Sequence, residues 1–434
     1  MLFTKKPYVG LLLCSLLAIF QTISGEVGKM VCFYDTPRLA PNSPAPITLA
    51  ELEPALNFCN FLVYGYAGID PENFKIISFD LPSGNHINDL RKKFPHVRFL
   101  LSVGGDRDIN GEGVPDTGKY LSLLEQPEHR SNFRASVISE LNKFGFDGID
   151  LAWQFPKNKP KLQQGILKRA WGKFRGWFSS TSVDEKAAEH KEQFAALMGE
   201  LRTDIHRAGK MLSLTMLPHV SAELFIDIPV ALMYADFVNL ATYDFQTPER
   251  DPKVADLPAP LQAMYERDPS HNVQYQVQYW LNATAERDFN KLHIGVTSYG
   301  RSWVMTRNSG ITGYPPIPEA DGPAPAGSAA GILSWPEICE LLQQQPTDRE
   351  TPHLRKVGDP TKRYGVYAYR AADDKGENGL WVGYEDPTTA ANKAAFARAH
   401  GLGGVAFHDL TMDDVRGQCA GEKYPILRSI KYKL

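Results

Sequence analysis

The stretch Phe146-Asp147-Gly148-Ile149-Asp150-Leu151-Ala152-Trp153-Gln154-Phe155-Pro156 is the most informative part of this 434-residue chain. Its central run, Gly148–Trp153, is short and mostly apolar, as expected of a buried strand. Gln154 follows at the carboxyl end of that strand, where barrel enzymes place their functional residues. A glutamine has no titratable proton, so it can form hydrogen bonds but cannot act as a general acid.

Seven other runs of the same character occur along the chain, each followed by a turn and a helix-like stretch. The eight runs are Met30–Tyr34, Phe61–Tyr66, Val97–Val103, Gly148–Trp153, Met211–Leu217, Phe237–Tyr243, His293–Ser298 and Gly404–His408. Eight strands that alternate with helices predict the α/β class and a closed (β/α)₈ TIM barrel.

The opening stretch resembles the signature of the family 18 glycoside hydrolases, the chitinases, which reads Asp-Gly-x-Asp-x-Asp-Trp-Glu-Tyr-Pro. The matching positions are Asp147, Gly148, Asp150, Trp153 and Pro156. Three positions depart, because Ala152 replaces the third aspartate, Gln154 the glutamate and Phe155 the tyrosine.

The resemblance implies substrate-assisted cleavage, in which the acetamide of the sugar is the nucleophile and one carboxyl group protonates the leaving oxygen. That carboxyl group is absent at Gln154, and its loss removes a contribution of roughly 10²–10⁴ in rate. Ala152 also breaks the row of acids that tunes the proton donor in the family. We therefore expect no catalytic residue and no hydrolysis, with Asp147, Asp150, Ala152 and Gln154 as degenerate positions of the site.

Three further motifs resemble the family at the ends of other predicted strands. They are Ser102-Val103-Gly104-Gly105, Ala241-Thr242-Tyr243-Asp244 and Gly295-Val296-Thr297-Ser298-Tyr299-Gly300-Arg301-Ser302-Trp303. A fourth position departs, since His408 stands where family enzymes generally carry a tryptophan under the reacting sugar. The resemblance implies sugar contacts for Trp153, Tyr243, Asp244, Arg301 and His408. The alternative for Tyr243 and Asp244 is that they merely fill the barrel mouth.

Two insertions interrupt the barrel pattern. About 100 residues separate the last two predicted strands, far more than a simple βα connection needs. Chitinases of one subgroup carry a small α+β domain here, which we place at 304–388, so that the barrel comprises 26–303 and 389–434. A second insertion spans 157–190 after the fourth strand, with seven basic residues before the first acid and aromatic residues at helical spacing. It is interpreted either as an amphipathic helix packed on the barrel or as a surface for a partner.

The first 25 residues have the layout of a cleaved secretory signal, with two lysines followed by an apolar stretch and small residues. The remaining chain has 45 basic and 50 acidic residues, which argues against bulk attraction to nucleic acid. Four cysteines remain, and we expect the pairs Cys32–Cys59 and Cys339–Cys419 in an oxidising compartment. Asn282 lies in the only glycosylation sequon. Neither a metal site nor another cofactor is predicted, and no membrane insertion is expected.

The chain as a whole resembles the imaginal disc growth factors of insects. The resemblance rests on the glutamine in the signature, the insertion after it, the opening Cys32-Phe33-Tyr34-Asp35 and the ending Arg416-Gly417-Gln418-Cys419. It implies a secreted protein without hydrolase activity that promotes proliferation, polarisation and motility of imaginal disc cells in cooperation with insulin. The implied partner is a cell-surface receptor or extracellular protein. A lectin-like binder of chito-oligosaccharides in matrix, cuticle or wound response is the alternative.

Overall fold

A computed structural model describes residues 28–35, 47–77, 86–105, 108–109, 116–157, 184–218, 220–284, 288–325, 327, 329–344 and 353–434. The predicted signal segment 1–25 and most of the predicted insertion, 158–183, lie outside these residues.

The strands belong to a barrel, an inserted sheet and a small two-stranded sheet. They are β1 (Lys29–Asp35), β2 (Phe61–Ile69), β3 (Ile76–Ile77), β4 (Arg98–Gly104), β5 (Gly148–Ala152), β6 (Met211–Met216), β7 (Phe237–Leu240), β8 (Val254–Ala255), β9 (Leu292–Thr297), β10 (Tyr299–Met305), β11 (Ile317–Pro318), β12 (Ile332–Ser334), β13 (Arg355–Gly358), β14 (Val366–Arg370), β15 (Gly379–Tyr384) and β16 (Gly404–His408).

Eight parallel strands close the barrel in the order β1, β2, β4, β5, β6, β7, β9 and β16, and β16 pairs with β1. Each of the eight predicted runs overlaps one of these strands, so the predicted barrel is confirmed. The largest differences at an end are three residues: the second strand continues to Ile69 rather than Tyr66, and the sixth strand stops at Leu240 rather than Tyr243. The chain turns after this sixth strand, where Asp244 has a positive φ of 54°.

Helices cover the outside of the barrel and flank the inserted sheet. They are α1 (Leu49–Leu52), α2 (His86–Lys93), α3 (Thr117–Glu125), α4 (Pro127–Phe144), α5 (Ala187–Arg207), α6 (Ala222–Phe225), α7 (Ile228–Tyr234), α8 (Val273–Ala283), α9 (Trp335–Gln343), α10 (Pro387–Ala399) and α11 (Pro425–Lys431). The main apolar core fills the space between the strands and these helices, and a smaller cluster that includes Val31, Val63 and Leu100 fills the barrel interior.

The inserted unit is an antiparallel sheet in the order β12, β10, β15, β14 and β13, and α9 follows β12 directly. One face of the sheet is aromatic, with Trp303, Tyr367 and Trp381 packed together. The sheet begins at Tyr299, five residues before the predicted boundary at 304. Ser298 separates the barrel strand β9 from the inserted strand β10, and its buried hydroxyl donates to the carbonyl of Asp409. The sequence does not show this break, because its residues form one continuous run there.

Two disulfides tie the chain, and both match the predicted pairs. Cys32 in β1 joins Cys59, which lies just before the neighbouring strand β2. Cys339 in α9 joins Cys419 in the C-terminal segment. Among the described residues, no helix is both long enough and apolar enough to cross a bilayer.

Candidate functional site at the barrel mouth

The carboxyl ends of the barrel strands bring most of the predicted site residues together. Gln154 follows β5, Tyr243 and Asp244 follow β7, Arg301 lies in β10 and His408 ends β16. Four of the five are buried or nearly so, and His408 is half-buried. Among these side chains, Tyr243 packs against His408 and Asp244 pairs with Arg301, whereas Gln154 contacts the backbone.

Asp150 forms the polar centre below the mouth. Its two carboxylate oxygens accept hydrogen bonds from the hydroxyls of Ser102 at 2.7 Å, Ser213 at 2.7 Å and Thr215 at 2.8 Å. Complete burial raises the pKa of Asp150, and the three donated hydrogen bonds oppose that rise. Asn239 extends the network, since its amide donates to the hydroxyl of Thr215 at 3.0 Å.

Gln154, which the sequence resemblance predicts to stand at the proton-donor position, has its amide nitrogen directed at the backbone. It donates to the carbonyl oxygens of Gly105 and of Asp108, the second at 3.1 Å. Its side-chain oxygen is buried and has no hydrogen-bond partner among the described residues. An N–H group satisfies two carbonyl acceptors here, whereas an ionised carboxylate would be repelled by them.

Glycine at two successive positions lets the backbone reach Gln154. Gly104 has a φ of 108°, and a Cβ atom there would lie 2.1 Å from the carbonyl oxygen of Ala152. Gly105 has a φ of 63°, and its Cβ would meet the ring of Tyr66 at 2.6 Å. The Ser-x-Gly-Gly motif thus has a steric reason, because any other residue would push this loop away from β5.

Asp108 anchors the loop that contacts Gln154. Its carboxylate lies 2.5 Å from the ammonium of Lys119, accepts from the Tyr120 hydroxyl at 2.6 Å and accepts from the backbone N–H of Ile69 at 3.0 Å. The side chains of Asp108 and Lys119 are 8% and 6% exposed. This buried ion pair fixes the carbonyl of Asp108 against the Gln154 amide.

His408 and Tyr66 join across the mouth. The Nε2 atom of His408 lies 2.7 Å from the Tyr66 hydroxyl. The imidazole also packs against the rings of Phe33 and Tyr243, with centroids 4.9 and 5.7 Å away. Burial raises the pKa of Tyr66 well above its usual value, so this hydroxyl stays neutral. The floor position therefore carries an imidazole held in a contact, rather than a broad free aromatic face.

Asp244 and Arg301 form the wall on the side of the inserted sheet. Asp244 accepts from Arg301 Nε at 2.8 Å and Nη2 at 2.5 Å, and from the Tyr299 hydroxyl at 2.8 Å. Burial alone would lower the pKa of Arg301, but the charge and hydrogen bonds of Asp244 outweigh it and raise that pKa. A two-pronged pair of this kind orients both side chains rigidly.

Two predicted site residues lie elsewhere. Trp153 points away from the barrel axis and packs edge-on against Tyr120 and Phe133 under the helices, 2% exposed. No ring face is left for a sugar there, so Trp153 is a core residue. Asp147 lies at the opposite end of β5, where it pairs with Arg91 at 3.2 Å and accepts from the backbone N–H of Phe99. It belongs to the base of the barrel.

Asn282, the predicted glycosylation site, is exposed in the last turn of α8 and accepts from Gln278 at 2.7 Å. The predicted insertion 157–190 overlaps α5, which starts at Ala187. In the parts of the chain that the structure covers, no group of His, Cys, Asp or Glu side chains could hold a metal ion.

Sequence reasoning missed Tyr66, Tyr299 and the Asp108–Lys119 pair. Tyr66 ends one predicted strand and Tyr299 directly follows another. The sequence therefore already indicated that both residues lie near the mouth. Asp108 gave no such signal, because its role depends on a contact with Lys119 eleven residues further along.

Comparison with known proteins identifies the family of this chain. The family profile described as glycosyl hydrolases family 18 matches residues 29–413. The chitinase-like protein Idgf5 of Drosophila melanogaster is 72% identical, with 99% of each chain covered. Imaginal disk growth factor 6 of the same species is 47% identical, with 93% of each chain covered. A mutant of the group II chitinase catalytic domain 2 of Ostrinia furnacalis, solved with the chito-oligosaccharide (NAG)5, is 27% identical with a TM-score of 0.73, covering 94% of this chain and 96% of that one.

Proposed function

Because the chain belongs to the family 18 glycosyl hydrolases and, among them, to the chitinase-like imaginal disc growth factors, we propose that it is a secreted growth factor without hydrolase activity. It promotes proliferation, polarisation and motility of imaginal disc cells in cooperation with insulin, through a cell-surface receptor or extracellular protein. The growth-factor part of this proposal is supported by the names of its relatives.

One observation supports the absence of hydrolysis above all others. The residue at the proton-donor position is an amide, and that amide donates to two backbone carbonyls. Substrate-assisted cleavage needs a proton on the leaving oxygen, and a glutamine cannot supply it. Ala152 removes a carboxylate from the row of acids, and His408 replaces the tryptophan under the sugar. The reaction would also depend on both of these features.

A cell assay tests the growth-factor proposal directly. Purified protein is added at increasing concentration to imaginal disc cells in medium with and without insulin, and cell number and migration are followed. We expect a saturable increase above insulin alone. A variant that lacks residues 160–185 tests whether the insertion after β5 is the partner surface, and we expect it to be secreted normally but less potent. If the full-length protein has no effect at any concentration, the growth-factor proposal is wrong.

Glycan binding is a second candidate, favoured by what the mouth retains. The Asp150 network, Tyr243 and the Asp244–Arg301 pair remain in place, and the buried oxygen of Gln154 can accept an N–H or O–H group. The Ostrinia chitinase domain with a similar fold was solved with a chito-oligosaccharide. Calorimetric titration with N-acetylglucosamine oligomers tests it. Saturable heat that increases with oligomer length supports a working cleft, and no heat excludes one.

A further inference from the structure

The base of the barrel, opposite the mouth, collects cations from three neighbouring βα units. In a parallel barrel the helices run back against the strands, so helix ends and strand starts meet on one face. Arg91, Lys92 and Lys93 end α2, Lys143 lies in the last turn of α4, and Arg207 ends α5. Arg98 starts β4, and Lys210 directly precedes β6. The strands that follow these helices, β4, β5 and β6, are adjacent in the barrel.

The cations extend outward at this face, while most of their partner carboxylates are recessed. The side chains of Lys92, Lys93, Arg98, Lys143 and Arg207 are 55–78% exposed. Four of the five carboxylates that pair with them, Glu53, Glu140, Asp147 and Asp204, are only 14–28% exposed. At this face the cations are therefore more exposed to solvent than most of their partner carboxylates, even though the chain without its first 25 residues has an excess of acids.

The helix dipole explains only part of this arrangement. Basic residues in a last helical turn are stabilised by the partial negative charge of the helix end. Arg98 begins a strand, and so lies outside this explanation. Its carboxylate neighbour, Asp147, is 3.9 Å away and is already engaged by Arg91 at 3.2 Å. Lys210 adds a further cation here, held by the carbonyl of Phe146 at 2.7 Å.

We propose that this basal cation patch, defined as Lys92, Lys93, Arg98, Lys143 and Arg207, binds a linear sulfated polysaccharide of the extracellular matrix. The five cations come from the ends of three helices and the start of one strand in neighbouring βα units, so the patch offers several separate charges rather than one point charge. Long exposed side chains suit a flexible polyanion whose sulfate groups repeat along the chain. The two disulfides indicate an oxidising compartment, which favours a matrix glycan over nucleic acid.

Retention on immobilised heparin, with affinity measured at fixed ionic strength, tests the proposal. The variant Arg98→Glu/Lys143→Glu reverses two charges of the patch. The control Lys253→Glu/Lys375→Glu makes the same charge change at exposed positions on other loops. We expect the basal variant to bind heparin at least about tenfold more weakly than wild type, because charge-assisted contacts are lost. The control should stay within about twofold of the wild-type affinity.

A third variant separates the patch from the basic insertion, which also carries several lysines and arginines. The variant Lys168→Glu/Lys173→Glu makes the same change in net charge, but within the insertion. If this variant loses heparin affinity and the basal variant does not, or if the control falls as far as the basal variant, the proposal is wrong. Binding of the wild-type protein to anionic phospholipid vesicles but not to heparin would also overturn it. None of these outcomes depends on the growth-factor assay.

Discussion

The two ends of the barrel use charge in opposite ways. At the mouth, Asp150, Asp244 and Gln154 turn their polar atoms toward other side chains or the backbone, and Tyr66 and His408 join across the floor. At the base, carboxylates are recessed and cations extend into solvent. The comparison indicates that internal contacts hold most of the polar groups at the mouth. The base presents its cations to solvent.

The largest expected effect comes from breaking the ion pair that holds the mouth loop. Lys119→Met leaves the buried carboxylate of Asp108 without its cation, and removal of one partner from such a pair costs about 3–5 kcal/mol. We expect a loss of that order in the free energy of unfolding, measured by urea denaturation. The control Lys92→Met removes an exposed basal ion pair and should cost well under about 1 kcal/mol. Equal losses in both variants would contradict the contrast between the two ends.

A histidine near the base gives a pH-dependent test. His293 in β9 is fully buried, and neither ring nitrogen has a hydrogen-bond partner among the described residues. Burial, with a smaller effect of the charge on Lys29, lowers its pKa to about 3. The unfolded chain takes up a proton below about pH 6.5, while the folded chain does so only near the lower value. Stability is therefore lost as the pH falls between these two values.

The variant His293→Leu should remove this dependence. Between pH 7.5 and 5.0 we expect the wild type to lose about 2 kcal/mol more than the variant, at about 1.4 kcal/mol for each pH unit below 6.5. Urea unfolding at both pH values measures the difference. His206→Gln, at an exposed position, is the control and should follow the wild type. A variant that keeps the full pH dependence would show that His293 is not its source.

A smaller effect is expected from the contact across the floor. Tyr66→Phe removes the hydroxyl that His408 contacts at 2.7 Å, while the aromatic packing remains. The loss of one partly buried hydrogen bond costs about 1 kcal/mol. Tyr432→Phe, at a residue that is 69% exposed, should change the unfolding free energy by a few tenths at most. If the two variants are equally stable, the Tyr66–His408 contact contributes nothing to the closed floor.

The sequence predicts the barrel well because its strands are short apolar runs that recur with helix-like stretches between them. The first disulfide follows from the adjacency of β1 and β2. It predicts the site less well. The motif match assigns Asp147 and Trp153 to the mouth, but side chains along a strand alternate in direction, and the first aspartate lies at the far end. The loop contact of Gln154 depends on Asp108 and Lys119, which no local pattern joins.

The smallest expected effect is on hydrolysis after a single repair. Gln154→Glu restores a carboxyl group, but in this geometry it faces the carbonyl oxygens of Gly105 and Asp108. Two acceptors favour the protonated form, and the proton is then donated to the backbone instead of the cleft. Ala152 supplies no neighbouring carboxylate, and His408 still fills the floor. We therefore expect turnover of a chromogenic chito-oligomer no higher than that of Gln154→Ala. A gain of about 10²-fold or more, the usual scale of general acid catalysis, would show that the mouth is preserved for chemistry and that the amide alone prevents it.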